Sequence, residues 1–115
     1  MVKVALIQMA CSRDKKKSLA KALALMEQAV KKKAEVICLP ELFLTDYFCK
    51  TEDPTLFDLA EPLEGPTTKA LQTFAKKHKV IVLGSIFEKR AKGLYHNTST
   101  VIDEKGKLIG VYRKM

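Results

Sequence analysis

The feature that most constrains this chain is the alternation of short, nearly all-apolar runs with amphipathic stretches of helical period. Val2 to Met9, Val36 to Leu39 and Val80 to Phe87 have the length and composition of buried strands. Between the first two, Leu19, Leu23, Met26 and Val30 recur at spacings of four, three and four, the apolar stripe of one helix. Ser12 and Asp14 offer N-cap oxygens ahead of it, and the Lys31 to Lys33 cluster closes it. Between the second and third runs, Gly65-Pro66-Thr67 opens another helix with proline in the first turn. Ala70, Leu71, Phe74 and Ala75 supply its apolar face up to His78. Strand, helix and strand in succession imply parallel strands joined by right-handed crossovers.

The remainder is strand-like. Tyr95 to Ile102 and Lys107 to Lys114 flank Asp103-Glu104-Lys105-Gly106, a hairpin-type turn in which Gly106 can take positive φ. The expected order is β-α-β-α-β-β-β, a layered α/β protein. The two-residue period puts Leu108, Gly110, Tyr112 and Lys114 on one face of the last strand. Thr45 to Glu64 is polar, punctuated by Pro54 and Pro62, and long for a plain connection, which suggests a lid or binding loop. No repeat or interdomain linker divides residues 1–115, and the ending Arg113-Lys114-Met115, on a strand, reads as a cut through a domain.

Composition excludes several classes. With 47% hydrophobic and 30% charged residues the chain is globular, not disordered. No apolar run approaches the roughly 18 residues of a membrane span. The start MVKVALIQM lacks a signal-peptide core, so the cytoplasm is the expected location. Cys11, Cys38 and Cys49 are an odd number without a C-x-x-C pair and read as free thiols, with neither a disulfide framework nor a zinc site. The net charge of +8 gathers in lysine clusters at helix ends, with no aromatic residues interleaved. Nucleic-acid binding is therefore the weakest of the readings kept open. His78 reads as a cation at a helix C-terminus. His96, beside Asn97, reads as a hydrogen-bonding residue at a turn or strand end and not as a metal ligand.

Glu41 is the residue to explain, because Val36-Ile37-Cys38-Leu39-Pro40 delivers its carboxylate where a strand gives way to a loop. An ionised carboxylate among Leu39, Leu42 and Phe43 must be paired, stay near water, or take a raised pKa. Raising it to near neutrality costs roughly 3 to 4 kcal/mol, tolerable where a general base is needed. A partly exposed glutamate paired with a lysine accounts for the same sequence. Lys114, ending the last strand, is either that partner or a snorkelling surface cation.

VKVALIQM, ICLPELF with Glu41, YHNTSTVID and GVYRKM together resemble the N-terminal half of the nitrilase superfamily of carbon-nitrogen hydrolases. Tyr47-Phe48-Cys49 together with Tyr112-Arg113-Lys114 is most similar to the N-carbamoylputrescine amidase branch, which implies a role in polyamine biosynthesis. The resemblance implies a four-layer αββα sandwich and a Glu-Lys-Cys triad, with the glutamate on Glu41 and the lysine on Lys114. It puts the nucleophilic cysteine on a strand-to-helix elbow downstream of the lysine, so none of the three cysteines here matches that motif. It also implies a homo-oligomer, no metal or organic cofactor, and a small linear amide or N-carbamoyl amine as substrate. The expected function is amide hydrolysis by the intact enzyme, with residues 1–115 inactive alone. The rival from another class is a non-catalytic fragment serving as an assembly or interaction module.

Overall fold

The computed structural model describes residues 1–10, 14–41, 43–44 and 60–114. Its elements are β1 (Val4–Leu6), α1 (Lys15–Lys31), β2 (Val36–Cys38), α2 (Pro66–His78), β3 (Ile81–Ala91), β4 (Leu94–Ile102) and β5 (Leu108–Arg113). They follow the order expected from the sequence. The five strands form one sheet in the order β1-β2-β3-β4-β5. β1, β2 and β3 run parallel, while β4 and β5 are added antiparallel.

Both crossovers, through α1 and through α2, step in the same direction along the sheet. Right-handed connections then put both helices on the same face. The core lies there: Ala22, Met26 and Ala29 of α1 and Leu71, Phe74 and Ala75 of α2 pack on Ile37, Val82 and Ile102. Those three strand residues are adjacent across the sheet by register and fully buried. By the two-residue alternation, Cys38, Leu83, Ser85, Ser99 and Val101 occupy the opposite face. No helix among the described residues covers that face. Val4 and Leu6 at its β1 edge are 56% and 78% exposed, and Tyr112 at its β5 edge is 65% exposed.

Asp14 caps α1, its Oδ1 accepting from the backbone N–H of Lys16 at 2.9 Å and of Lys17 at 3.4 Å. The buried stripe of this helix is Ser18, Ala22, Met26 and Ala29, with Leu19, Leu23 and Val30 flanking it. The apolar spacing alone centred the stripe on the leucines. Small residues take the centre because the helix backbone approaches closely there, and the leucines fill the sides. α2 begins as expected, with Gly65 as N-cap and Pro66 in its first turn.

Three strands differ from expectation. β1 is Val4–Leu6 and not the whole run Val2 to Met9, and it is not buried on both faces, because it is an edge strand paired with β2 alone and only Ala5 turns to the helix-side core. β3 continues through Glu88, Lys89 and Arg90 to Ala91, and β4 begins at Leu94, so a tight turn at Lys92-Gly93 joins a longer hairpin. Gly93 has φ +76°, suited to that turn. Charged residues ended the apolar run in the sequence, but antiparallel pairing continues through them as backbone hydrogen bonding. In β5 the register shifts between Val101↔Gly110 and Ile102↔Leu108, which turns Leu108 toward the helix-side core. Leu108 therefore does not share a face with Gly110 and Tyr112. The Asp103–Gly106 turn is as expected: Gly106 has φ +82°, and Asp103 Oδ1 accepts from the N–H of Lys105 and of Lys107, each at 2.9 Å. No helix among the described residues is long and apolar enough to cross a membrane.

Gly84 marks a close approach of α2 to the sheet. A Cβ there would lie 2.8 Å from Leu71 Cδ1 and 2.8 Å from Thr100 Oγ1. Gly84→Ala is expected to destabilise the fold by about 1–3 kcal/mol, the usual cost of overpacking a close-packed core. A urea melt measures it, and an unchanged midpoint would mean that α2 rides higher over β3 than described.

Candidate active site

The opposite face, which no helix among the described residues covers, carries an open cleft of about 400 Å³, lined among others by Cys38, Glu41, Ser85, Asn97, Tyr112 and Lys114. Three strand positions converge on it. After Cys38 the chain makes one more ladder bond, Leu39 N–H to Leu83 O at 2.9 Å. Pro40, which has no N–H to give, ends the pairing and sets Glu41 beyond the strand end. Asn97 lies within β4, opposite Phe87 and on the cleft side. Lys114 follows β5, its backbone N–H donating to Asn97 O at 2.9 Å.

The sequence-expected pair meets in this cleft although 73 residues separate its members: Lys114 Nζ lies 3.4 Å from Glu41 Oε1. Both side chains are about half exposed, 59% for Lys114 and 52% for Glu41. Glu41 is thus both paired and in reach of water, two of the three solutions open to a carboxylate in such a setting. A second donor on the same oxygen, the Asn97 Nδ2 amide, was not recognised from the sequence. Its only signal was its place in the YHNTSTVID block. Ser85 Oγ donates to Asn97 Oδ1 at 3.5 Å.

An exposed ion pair contributes about 0–1 kcal/mol and cannot by itself hold this geometry. The support lies on the other side of the sheet. Arg113, one residue before Lys114, forms a two-pronged bridge to Glu88, Nε to Oε1 at 2.8 Å and Nη2 to Oε2 at 3.0 Å. Thr98 Oγ1 adds a third donor to Glu88 Oε1 at 2.8 Å. The Glu88 side chain is only 2% exposed. Arg113 pulls its carboxyl below the ordinary glutamate range, burial pushes the other way, and the Thr98 donation restores the balance toward the charged form. The guanidinium is in turn held in its charged form by Glu88. Strand alternation sends the residue after Arg113 to the opposite face, so this half-buried pair fixes the end of β5 from which Lys114 reaches the cleft.

A second buried carboxylate, Glu61, sits beside the last part of β3. Its N–H donates to Phe87 O at 2.9 Å, and its carbonyl accepts from Lys89 N–H at 2.7 Å. Glu61 Oε1 accepts from Thr67 N–H at 2.9 Å and Oε2 from Thr67 Oγ1 at 2.6 Å, capping α2, while Lys15 Nζ lies 2.7 Å from Oε2. Burial alone would raise its pKa; Lys15 and the Thr67 donors overcome this and lower it. The sequence had left Glu61 inside an undifferentiated loop.

The other sequence candidates fall as follows. The imidazole of His78 packs on Phe74 at the end of α2, with centroids 4.4 Å apart. His96 lies inside β4, opposite Glu88, and not at a turn, because the hairpin is longer than its apolar part. Cys38 lines the cleft. Cys11, Cys49, the Tyr47-Phe48 pair and most of the loop read as a lid lie outside the described residues. Among the described residues no three His, Cys, Asp or Glu side chains are grouped to hold a metal ion.

A parallel α/β sheet extended by a hairpin, with a carboxylate and an ammonium converging beyond its strand ends, is the framework of an α/β enzyme domain. The chain belongs to the carbon-nitrogen hydrolase family, whose model matches residues 3–115. It is 36% identical over 114 residues to a citrullinase of Francisella tularensis subsp. tularensis, covering 98% of this chain and 40% of that protein. It is also 36% identical to an N-carbamoylputrescine amidase of Solanum lycopersicum, covering 99% of this chain and 38% of the relative. Among solved structures, a carbon-nitrogen hydrolase from Helicobacter pylori G27 superposes with a TM-score of 0.92 at 40% identity, over 99% of this chain and 39% of that one. The chain thus spans about two fifths of the length of the relatives it matches. The α/β fold and the membership of the nitrilase superfamily expected from the sequence are both met.

The lowered pKa of Glu88 and of Glu61 sets a direction for stability against pH. A carboxyl depressed in the folded state stabilises it above the unfolded value, near 4.5, and that contribution is lost as pH falls through the folded value. Urea midpoints are expected to hold between about pH 7 and pH 5 and to fall steeply below about pH 4. Glu88→Gln should lower the midpoint at neutral pH and flatten the acid slope. An acid slope as steep as that of the parent would mean that Glu88 is not among the groups that titrate.

Proposed function

We propose that residues 1–115 form the N-terminal part of a carbon-nitrogen hydrolase domain that cleaves a small linear amide or N-carbamoyl amine. The observation that carries this reading is the meeting of Glu41 and Lys114 in one open cleft, 3.4 Å apart from opposite parts of the chain. About 400 Å³ suits a small organic substrate. The relatives named for citrulline and for N-carbamoylputrescine act on compounds that share a terminal ureido group, and this favours a ureido substrate of the N-carbamoylputrescine kind.

In this mechanism Glu41 is the general base and Lys114 the oxyanion holder, and the cysteine nucleophile follows Lys114 in the chain. Glu41 takes the thiol proton, because only the thiolate attacks well. The sulfur adds to the substrate carbonyl carbon, and the ammonium of Lys114 meets the negative charge that develops on oxygen, an interaction that grows toward the transition state. Collapse of the adduct breaks the C–N bond, and Glu41 returns the proton to the departing nitrogen. Water, deprotonated by the same carboxylate, then hydrolyses the acyl or carbamoyl thioester. Each step uses Glu41 and Lys114 as a pair, and none requires a metal or organic cofactor.

The same proposal includes a cytoplasmic homo-oligomer. The cleft-bearing face, with Val4, Leu6 and Tyr112 exposed at its edges, and the edge of β5, unpaired among the described residues, are surfaces of the kind proteins bury by association. Residues 1–115 alone are expected to elute from size exclusion as an oligomer or aggregate. A monodisperse monomer unfolding in one cooperative step would show that the described core is self-sufficient.

In the full-length enzyme, Glu41→Gln and Lys114→Ala are each expected to lower kcat by about 10²–10⁴ while the protein stays folded. Ammonia release from N-carbamoylputrescine, citrulline and simple amides reads the effect and ranks the substrates. Residues 1–115 alone should release none above background. Near-parental turnover in Glu41→Gln, with an unchanged pH profile, would reduce the pair to a surface ion pair.

A further inference from the structure

Asn97 touches both members of the proposed pair. Its Nδ2 donates to Glu41 Oε1, the same oxygen that faces Lys114 Nζ, and its main-chain carbonyl accepts the Lys114 N–H at 2.9 Å. An asparagine amide presents a donor on one side and an acceptor on the other, and turning it over exchanges them. The hydroxyl of Ser85, on the neighbouring strand, donates to Oδ1 and so favours the orientation that aims the NH₂ at the carboxylate.

We propose that Asn97, oriented by Ser85, is the positioning residue that fixes the Glu41 carboxylate relative to Lys114. The inference rests on the reading of Glu41 and Lys114 given above. Its physical basis is a comparison of sizes. Ordering long side chains such as Glu and Lys costs more than a half-exposed ion pair returns. A third group is needed, and it must itself be rigid. Asn97 qualifies: its side chain is short, and β4 is an interior strand paired with β3 and with β5. With Asn97 and Lys114 both on Oε1, the thiol proton falls to Oε2, so the pairing also selects which carboxylate oxygen acts as base. A misplacement of about 1 Å in such a group can cost on the order of 10²-fold in rate.

The test uses the full-length enzyme, with thermal melts to establish that each variant is folded. Asn97→Ala should lower kcat by about 10- to 100-fold, with KM within about threefold of the parent. Asn97→Asp keeps the shape but replaces the donor with another acceptor beside Glu41, and should lose at least as much; a purely structural role would tolerate it. Ser85→Ala should lower kcat in the same direction by less. In a Glu41→Gln background, Asn97→Ala should add less than about twofold, because residues acting as a unit are not additive. If Glu41→Gln is inactive while Asn97→Asp or Asn97→Ala keeps kcat within about twofold of the parent, the positioning role is overturned and the proposed function stands. If Glu41→Gln is itself active, both fall together. Should the Asn97 variants not fold, Ser85→Ala with parental kcat and an unmoved Asn97 amide in its crystal structure overturns the inference.

Discussion

The handedness of two crossovers governs this molecule. Each of the connections through α1 and α2 must be right-handed, and since both step the same way along β1-β2-β3, both helices cover one face. That face receives the core, and the other receives the cleft. The division explains why side chains of one strand have such different fates: Val82 is sealed in the apolar core, while Ser85, three residues on, lines the cleft beside Asn97. It also explains how Arg113 and Lys114, consecutive and both cationic, serve opposite sides of the sheet.

The cleft itself is held by backbone and buried pairs more than by its own charges. Glu41 sits where Pro40 halts the β2 ladder, and Lys114 is tied to β4 through the Asn97 carbonyl and to β3 through the Arg113–Glu88 bridge next to it. Removing Arg113 would leave the nearly sealed Glu88 carboxylate an uncompensated charge, so the bridge is costly to break even if it adds little when intact. Such an arrangement keeps two half-exposed side chains in register while leaving them open to a substrate.

How much of this was legible in the sequence depends on how local each feature is. The existence and order of the strands, the helix caps at Asp14 and Gly65-Pro66, and the Asp103–Gly106 turn are encoded within a few residues and were read correctly, whereas the bounds of β1 and β3 were not. Glu41 and Lys114 stood out because each ends an apolar strand. Features that arise from pairing between strands were not legible. Asn97 gains its position from register with β3 and β5, Glu88 from facing Arg113 25 positions away, and Leu108 its face from a bulge. The stripe of α1 was misjudged by one residue for a related reason: how closely a helix approaches a sheet is decided by the sheet.

Three glutamates show how packing divides a common chemistry. In Glu88 the two oxygens are taken up by Arg113 and Thr98, and in Glu61 by Thr67 and Lys15; both side chains are nearly sealed from water. A carboxylate so occupied is poorly placed to exchange a proton with a substrate, because three donors share its two oxygens and its side chain is nearly sealed from water. Glu41 differs in both respects: its two donors converge on a single oxygen, and half of its side chain is exposed. Burial and bonding, which make the first two glutamates good anchors, would disqualify the third as a base. The two anchoring carboxylates thus differ in setting from the proposed base, which keeps one oxygen unbonded among the described residues and half its side chain in water.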